Sequence, residues 1–184
     1  MKRDDWAIKG IGETVRKVLG REPTNNCEVG VWQGSLSQRL LREFPEAFLF
    51  MVDQYQPYED KLGRKPIEEI YDAMLLAGKA TDFAATRRMF LITSSVVASQ
   101  MFPAKCLDMC YLDADHSEAS TYREFQTWYP KVILGGWFGG HDYDGVGDKK
   151  GMFGVKKAID RAAYERGLEV KTTHQNIWYV KKPG

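Results

Sequence analysis

The chain has 184 residues with 26 basic and 25 acidic side chains, a net charge of +1, and 43% apolar and 28% charged residues. These are ordinary values for one soluble globular domain that can bury a core without disulfide or metal staples. The near-neutral charge supplies no general attraction to nucleic acid or to an acidic membrane surface.

Residues 4–19 carry a helix-like pattern that Gly20 and Pro23 stop, so residues 1–22 read as an N-terminal helix segment. No apolar stretch of the kind a secretory signal needs follows the basic start. Asn26–Gly30 reads as a short strand entering a glycine turn. A helix follows over 35–44, with Ser35 and Gln38 as a capping box and Leu36, Leu40, Leu41 and Phe44 on one face. Cys27 is one of three cysteines, with Cys106 and Cys110; an odd count without zinc spacing reads as reduced, buried thiols in the cytoplasm.

Residues 47–52, AFLFMV, form a continuous apolar run, as expected of a strand buried on both faces and far too short to span a bilayer. Residues 54–65 read as a loop, and Pro66 then opens a helical region to about residue 87. A third strand over 89–93 leads to a short helix over 95–101, and a fourth strand covers 107–112. The helix expected over 117–129 places Tyr122, Phe125 and Tyr129 on one face as core, and Pro130 ends it. Gly135–Gly140 reads as a fifth strand, and 154–166 as a helix. Residues 168–173 and 177–182 then form two strands joined tightly around Gln175 and Asn176; Trp178 and Tyr179 face opposite ways and need no functional explanation.

Strands alternating with helices imply an α/β fold: a doubly wound, mostly parallel sheet closed by a C-terminal antiparallel hairpin. The whole of 1–184 is read as one domain, with 54–80 as a candidate substrate cap. In such a sheet, ligands bind outside the carboxyl ends of the strands. The residues found there are Glu28, Gly30 and Gly34; Asp53; Ser94 and Ser95; Asp113, Asp115 and His116; and His141, Asp142 and Asp144. Most strand ends carry a carboxylate or an imidazole. Such a rim repels a pyrophosphate at close range but suits a cationic ligand without phosphate. S-adenosylmethionine is such a ligand. A carboxylate after the second strand can accept both ribose hydroxyls, and the glycines let backbone approach closely.

The segments CEVGVWQGSLS, MVDQY, LDMCYLDADHSEAS and GGWFGGHDYDG resemble the successive motifs of class I S-adenosylmethionine-dependent methyltransferases, from about residue 26 onward. DADHS and GGHDY are similar to a compact subgroup with a short substrate cap that includes small-molecule and sugar O-methyltransferases. The resemblance implies that Glu28, Gly30 and Gly34 line the methionine moiety. It places Asp53, with Gln54 beside it, at the ribose, Ser94 or Ser95 near the adenine, and Asp113 near the sulfonium and ammonium. In metal-dependent relatives such as catechol and sugar O-methyltransferases, the positions matching Asp113, His141 and Asp142 hold Mg²⁺. In some sugar O-methyltransferases the position of His116 supplies a base. His141 departs from the carboxylate of those relatives and shifts the preference toward Mn²⁺, Fe²⁺ or Zn²⁺.

Simpler readings stand beside these. Asp115 and Ser117 are placed to cap the following helix. His116 as a neutral imidazole could hold the substrate loop, and His141 and Asp142 could be turn residues. Trp32 either covers the cofactor or packs. The loops at 54–65 and 142–153 offer Tyr55, Tyr58, Tyr143 and Phe153 as an aromatic lid. The expectation is a cytoplasmic enzyme that methylates a small hydroxylated or saccharide acceptor, with His116, or else His141, taking the acceptor proton and Asp113 holding the donor. A divalent metal and a homodimer are compatible with it; nucleic acid and membrane are not expected partners. The rivals are a non-haem iron hydroxylase on this fold, using the two histidines and carboxylates, and a non-catalytic cofactor-binding module.

Overall fold

The computed structural model describes residues 3–57, 59–60, 63–144, 154–173 and 176–184. In chain order the elements are α1 (Arg3–Leu19), β1 (Asn25–Val29), α2 (Ser35–Glu43), β2 (Phe48–Asp53), the two-residue strands β3 (Glu59–Asp60) and β4 (Gly63–Arg64), α3 (Ile67–Ala80), β5 (Arg88–Ile92), α4 (Ser95–Gln100), β6 (Leu107–Leu112), α5 (Glu118–Trp128), β7 (Val132–Gly140), α6 (Val155–Tyr164), β8 (Lys171–Thr172) and β9 (Trp178–Lys181). Seven strands form one sheet in the order β5-β2-β1-β6-β7-β9-β8, while β3 and β4 pair only with each other. The first five strands of that order run parallel, and β9 turns antiparallel to both β7 and β8. The expected doubly wound sheet with an antiparallel end is therefore present. Its strand order reverses between β1 and β6, the place where such sheets open a crevice for ligands.

The sheet divides the core in two. On one face, Ile11 and Val15 of α1, Leu40 and Leu41 of α2, and Ile70, Ala73 and Ala77 of α3 pack on Met51, Met109 and Trp137. On the other, Ala98, Phe125, Trp128, Ile159 and Ala162 of α4, α5 and α6 pack on Cys27, Cys110, Phe138 and Trp178. Alternation along β7 produces this split. Trp137 stacks between Tyr111 and Tyr179 at centroid distances of 6.1 and 5.8 Å, whereas Phe138 meets Phe125 edge-on at 5.0 Å on the opposite side. β6 is buried at every position, which matches its unbroken apolar character apart from Asp108. That carboxylate receives Arg21 at 2.5 Å and the Thr24 and Asn25 amides at 2.6 and 3.0 Å, tying the chain ahead of β1 to the lower end of β6.

Several expectations change in detail. The helical region opened by Pro66 breaks after Ala80, where the Thr81 hydroxyl bonds the Ala77 carbonyl at 2.7 Å and a 3-10 segment, Asp82–Arg87, follows. α3, which makes up the second half of the 54–80 segment, packs into the core. The N-cap of α2 is Gly34, in a left-handed conformation with no side-chain cap, instead of a Ser35–Gln38 capping box; Gln38 reaches the Ala80 carbonyl at 2.8 Å. A tertiary partner outcompetes the local one. Phe125 is fully buried as expected, but Tyr122 and Tyr129 are half-buried, and the Tyr122 hydroxyl donates to Glu165 at 2.6 Å. β7 begins earlier than the glycine run, at Val132, and its register against β6 shifts between Leu107 and Met109. The turn at Gln175 and the side chains of Tyr58 and Phe153 lie outside the described residues.

Candidate active site

The crevice is built around a glycine. Gly30 leaves β1 with φ +94°, and a Cβ there would lie 2.0 Å from the Asp113 carbonyl oxygen, so only glycine lets the β1 turn press on the end of β6. The Gly30 amide donates to Val52 at 2.8 Å and the Asp113 amide to Val29 at 2.7 Å, which locks three strand ends side by side.

Asp53, at the end of β2, turns back onto this loop. Its Oδ2 accepts the amides of Val31 and Trp32 at 3.0 and 2.9 Å, and its Oδ1 accepts the Tyr55 amide at 2.9 Å. The Tyr55 hydroxyl donates to the Trp32 carbonyl at 2.9 Å, so Trp32 is held from both ends. Trp32 and Tyr55 both have positive φ, a conformation non-glycine residues keep only where surroundings enforce it. A carboxylate has about four acceptor positions. Among the described residues three of them are taken by amides, which leaves one on Oδ1 for a ligand hydroxyl. Gln54 beside it is exposed.

Glu28 lies beneath the turn, 1% exposed, with the Ser37 hydroxyl donating to it. Burial raises its pKa well above the ordinary carboxyl value, and the charges of Asp113 and Asp53 push the same way. A buried carboxyl flanked by two more carboxylates makes this turn strongly acidic in character, an environment that suits a cationic group better than an anionic one.

The β6 and β7 ends form the other half. His116 Nε2 lies 3.3 Å from Asp113 Oδ1 and 3.1 Å from Asp142 Oδ2, and His141 Nδ1 lies 3.1 Å from Asp142 Oδ1. Asp142 has φ 56°, another enforced conformation at the rim. Burial alone would lower the His116 pKa; the hydrogen bond to Asp113 and the charges of Asp113 and Asp142 outweigh it and raise the value. Ligand atoms of Asp113, His141 and Asp142 all lie within 4.8 Å of one another, so these three residues, expected together from the sequence, do converge. One imidazole nitrogen with two carboxylates fits a divalent transition metal better than Mg²⁺, which favours all-oxygen surroundings.

The remaining rim residues have plainer partners. Asp115 accepts the Ser117 amide at 2.8 Å, and Ser117 caps α5 through the Ser120 amide at 3.3 Å. Ser94 is the exposed residue preceding α4, while the Ser95 hydroxyl turns toward α5 and accepts the Trp128 indole N–H at 2.9 Å. The His116 carbonyl accepts the Gly154 amide at 2.8 Å, and a Cβ on Gly154 would lie 2.4 Å from the Glu118 amide nitrogen, so the start of α6 is clamped to the His116 loop. One buried carboxyl went unnoticed in the sequence. Glu124 shares the inward stripe of α5 with Thr121, Phe125 and Trp128, and an acid inside that 3–4 spacing was the available signal.

A profile of the methyltransferase-domain family matches residues 27–143, well over half of the chain, and spans every strand end described above. No curated protein sequence is significantly similar. Among solved structures, a Staphylococcus aureus protein described as a caffeoyl-CoA O-methyltransferase is 13% identical with a TM-score of 0.68, the alignment covering 98% of this chain and 84% of that one. The O-methyltransferase TomG from Streptomyces achromogenes, solved with S-adenosylmethionine, is 13% identical with a TM-score of 0.65 over 95% of this chain and 80% of its own. Spermidine synthase from Thermotoga maritima is 16% identical with a TM-score of 0.60, over 95% and 60%. At these identities the likeness is one of fold, and among the described residues no helix is long and apolar enough to cross a membrane. The profile match carries the assignment: the chain belongs to the methyltransferase-domain family and is a class I S-adenosylmethionine-dependent methyltransferase.

Proposed function

We propose that this domain transfers the S-adenosylmethionine methyl group to a hydroxyl of a small molecule or saccharide end group, with His116 accepting the hydroxyl proton. The observation that carries this reading is the position of His116 Nε2 between Asp113 and Asp142 at 3.3 and 3.1 Å. Two carboxylates stabilise the imidazolium that forms when the proton arrives, and general base help of this kind contributes about 10²–10⁴-fold. Glu28, the Gly30 and Gly34 turn, Trp32 and Asp53 receive the donor, and Asp113 faces both halves. Asp113, His141 and Asp142 would hold a divalent metal; such an ion supplies Lewis acidity that lowers the pKa of a bound hydroxyl. Orientation of donor and acceptor on one rim removes much of the entropic barrier. Tyr143 flanks the rim as an aromatic contact for a ring; Tyr55, expected beside it in the lid, is 6% exposed, bonds the Trp32 carbonyl and belongs to the core. The three thiols are free, which suits the reducing cytoplasm.

The first test is calorimetric titration with S-adenosylhomocysteine, with and without Mn²⁺ or Mg²⁺, followed by a screen of phenols and sugars for methyl transfer. Micromolar binding that Asp53→Ala abolishes, with turnover on a hydroxylated acceptor, supports the proposal. Binding without turnover on any acceptor favours a cofactor-binding module, and oxidation of the acceptor with tightly held iron favours a hydroxylase.

A further inference from the structure

A small pocket of about 10 Å³ lies behind the rim, with His116, Thr121, Glu124, His141 and Trp178 in its wall. That is room for about one water molecule. The Trp178 side chain is 1% exposed, and its indole N–H has no hydrogen-bond partner among the described residues. The missing side chain of Gly140 keeps space beside it: a Cβ there would lie 3.1 Å from Trp178 Nε1. A buried donor without an acceptor is uncommon in folded proteins and signals a bound molecule that supplies one.

Glu124 provides the complementary group. It is 6% exposed on the inward stripe of α5. The Ser95 hydroxyl accepts from Trp128, so its own hydrogen is available to the neighbouring Glu124 carboxyl. Glu124 also feels the charges of Asp115 and His116, and burial pushes its pKa up to about 7.

We propose that this pocket is a site for one ordered water, which accepts from Trp178 Nε1–H and donates to the Glu124 carboxyl. His116 shares the wall of this pocket, and the water's second hydrogen faces it, so that through the water Glu124 acts as a positioning residue for His116. The pocket then explains two features at once: a tryptophan donor with nothing to bond, and an acid set in an apolar helix stripe. The positioning role rests on the reading of His116 as the base; the water site does not.

A high-resolution crystal structure of the full chain decides the site. One water within hydrogen-bond distance of Trp178 Nε1, lost in Trp178→Phe, is the expected result, and an empty pocket in the wild type overturns it. Kinetics decide the positioning role. Glu124→Leu should lower kcat about tenfold, as misplacement of a reacting group does, with KM and S-adenosylhomocysteine affinity unchanged. Glu124→Gln, which keeps an acceptor oxygen for the water, should restore the rate. A folded Glu124→Leu protein that turns over at the wild-type rate overturns the role. Should Glu124→Leu fail to fold, Trp178→Phe carries the same kinetic test, because its ring still fills the core. No turnover by the wild type on any acceptor overturns the base reading and the positioning role with it, while the electron density still decides the site.

Discussion

His116 and Asp142 leave the ends of neighbouring strands and meet at 3.1 Å, so the imidazole is oriented by a group from a different part of the chain. Replacing His116 by Asn keeps a polar side chain but removes the base. The expected loss in kcat is about 10²–10⁴-fold, with S-adenosylhomocysteine affinity within twofold of wild type. Steady-state kinetics alongside calorimetry check this. An Asn variant that keeps its kcat would mean that another group takes the proton.

Asp53 has two tasks that can be separated. Asp53→Ala leaves the Val31 and Trp32 amides without their acceptor, at a cost of about 1–3 kcal/mol in stability, and also removes the oxygen proposed to receive the ribose. Asp53→Asn keeps one acceptor oxygen for the loop. The Ala variant should therefore lose both stability and cofactor affinity, and the Asn variant mainly affinity. Chemical denaturation and calorimetry on the same preparations separate the two; equal stability losses would contradict the assignment of Oδ2 to the loop.

Glu28 yields a prediction with a definite sign. Its folded pKa is raised well above the unfolded value of 4.5 by burial. Its contribution to stability is therefore fully present below pH 4.5 and is lost as pH rises through the folded value. Glu28→Gln has no charge to acquire, so its stability should fall less with pH above 4.5, and at neutral pH it should melt no lower than wild type. Donor binding should also suffer under the proposed role of Glu28, because the amide offers a cation no charge. Thermal melts across pH read the first outcome and calorimetric titration with S-adenosylmethionine reads the second; a variant that melts lower than wild type at neutral pH would contradict the sign.

Convergence of Asp113, His141 and Asp142 leads to a metal prediction. Mn²⁺ or Zn²⁺ should raise the melting temperature of the metal-free protein more than Mg²⁺ does, since a ligand that binds only the folded state stabilises it by mass action. His141→Ala should abolish that rise, and His141→Asp should restore a response to Mg²⁺. A thermal-shift series with each ion reads both outcomes, and equal responses of wild type and His141→Ala would remove His141 from the ligand set.

What the sequence made legible follows from how each feature is encoded. The apolar run of β2 stood out because a strand covered on both faces has no polar interruption, β6 is broken only by Asp108, and the rim residues followed from asking what comes directly after each strand. The partnership of Asp113, His141 and Asp142 was visible only through family resemblance, since nothing local links residue 113 to residue 141. Features governed by tertiary competition stayed hidden. Gln38 answers to Ala80 across a helix pair, and Asp53 gives two acceptor positions to the Val31 and Trp32 amides that follow a different strand. Trp178 read as plain core packing because an unsatisfied donor is a property of its surroundings.

Gly30 resting on the Asp113 carbonyl gives the turn after β1 and the rim at the ends of β6 and β7 a single shared abutment. Any side chain at that position would displace both halves together, so a change of acceptor preference cannot begin there. Retargeting this domain, by evolutionary drift or by engineering, would have to be carried by rim residues outside that contact, such as Tyr143, which can be exchanged while the abutment stays still.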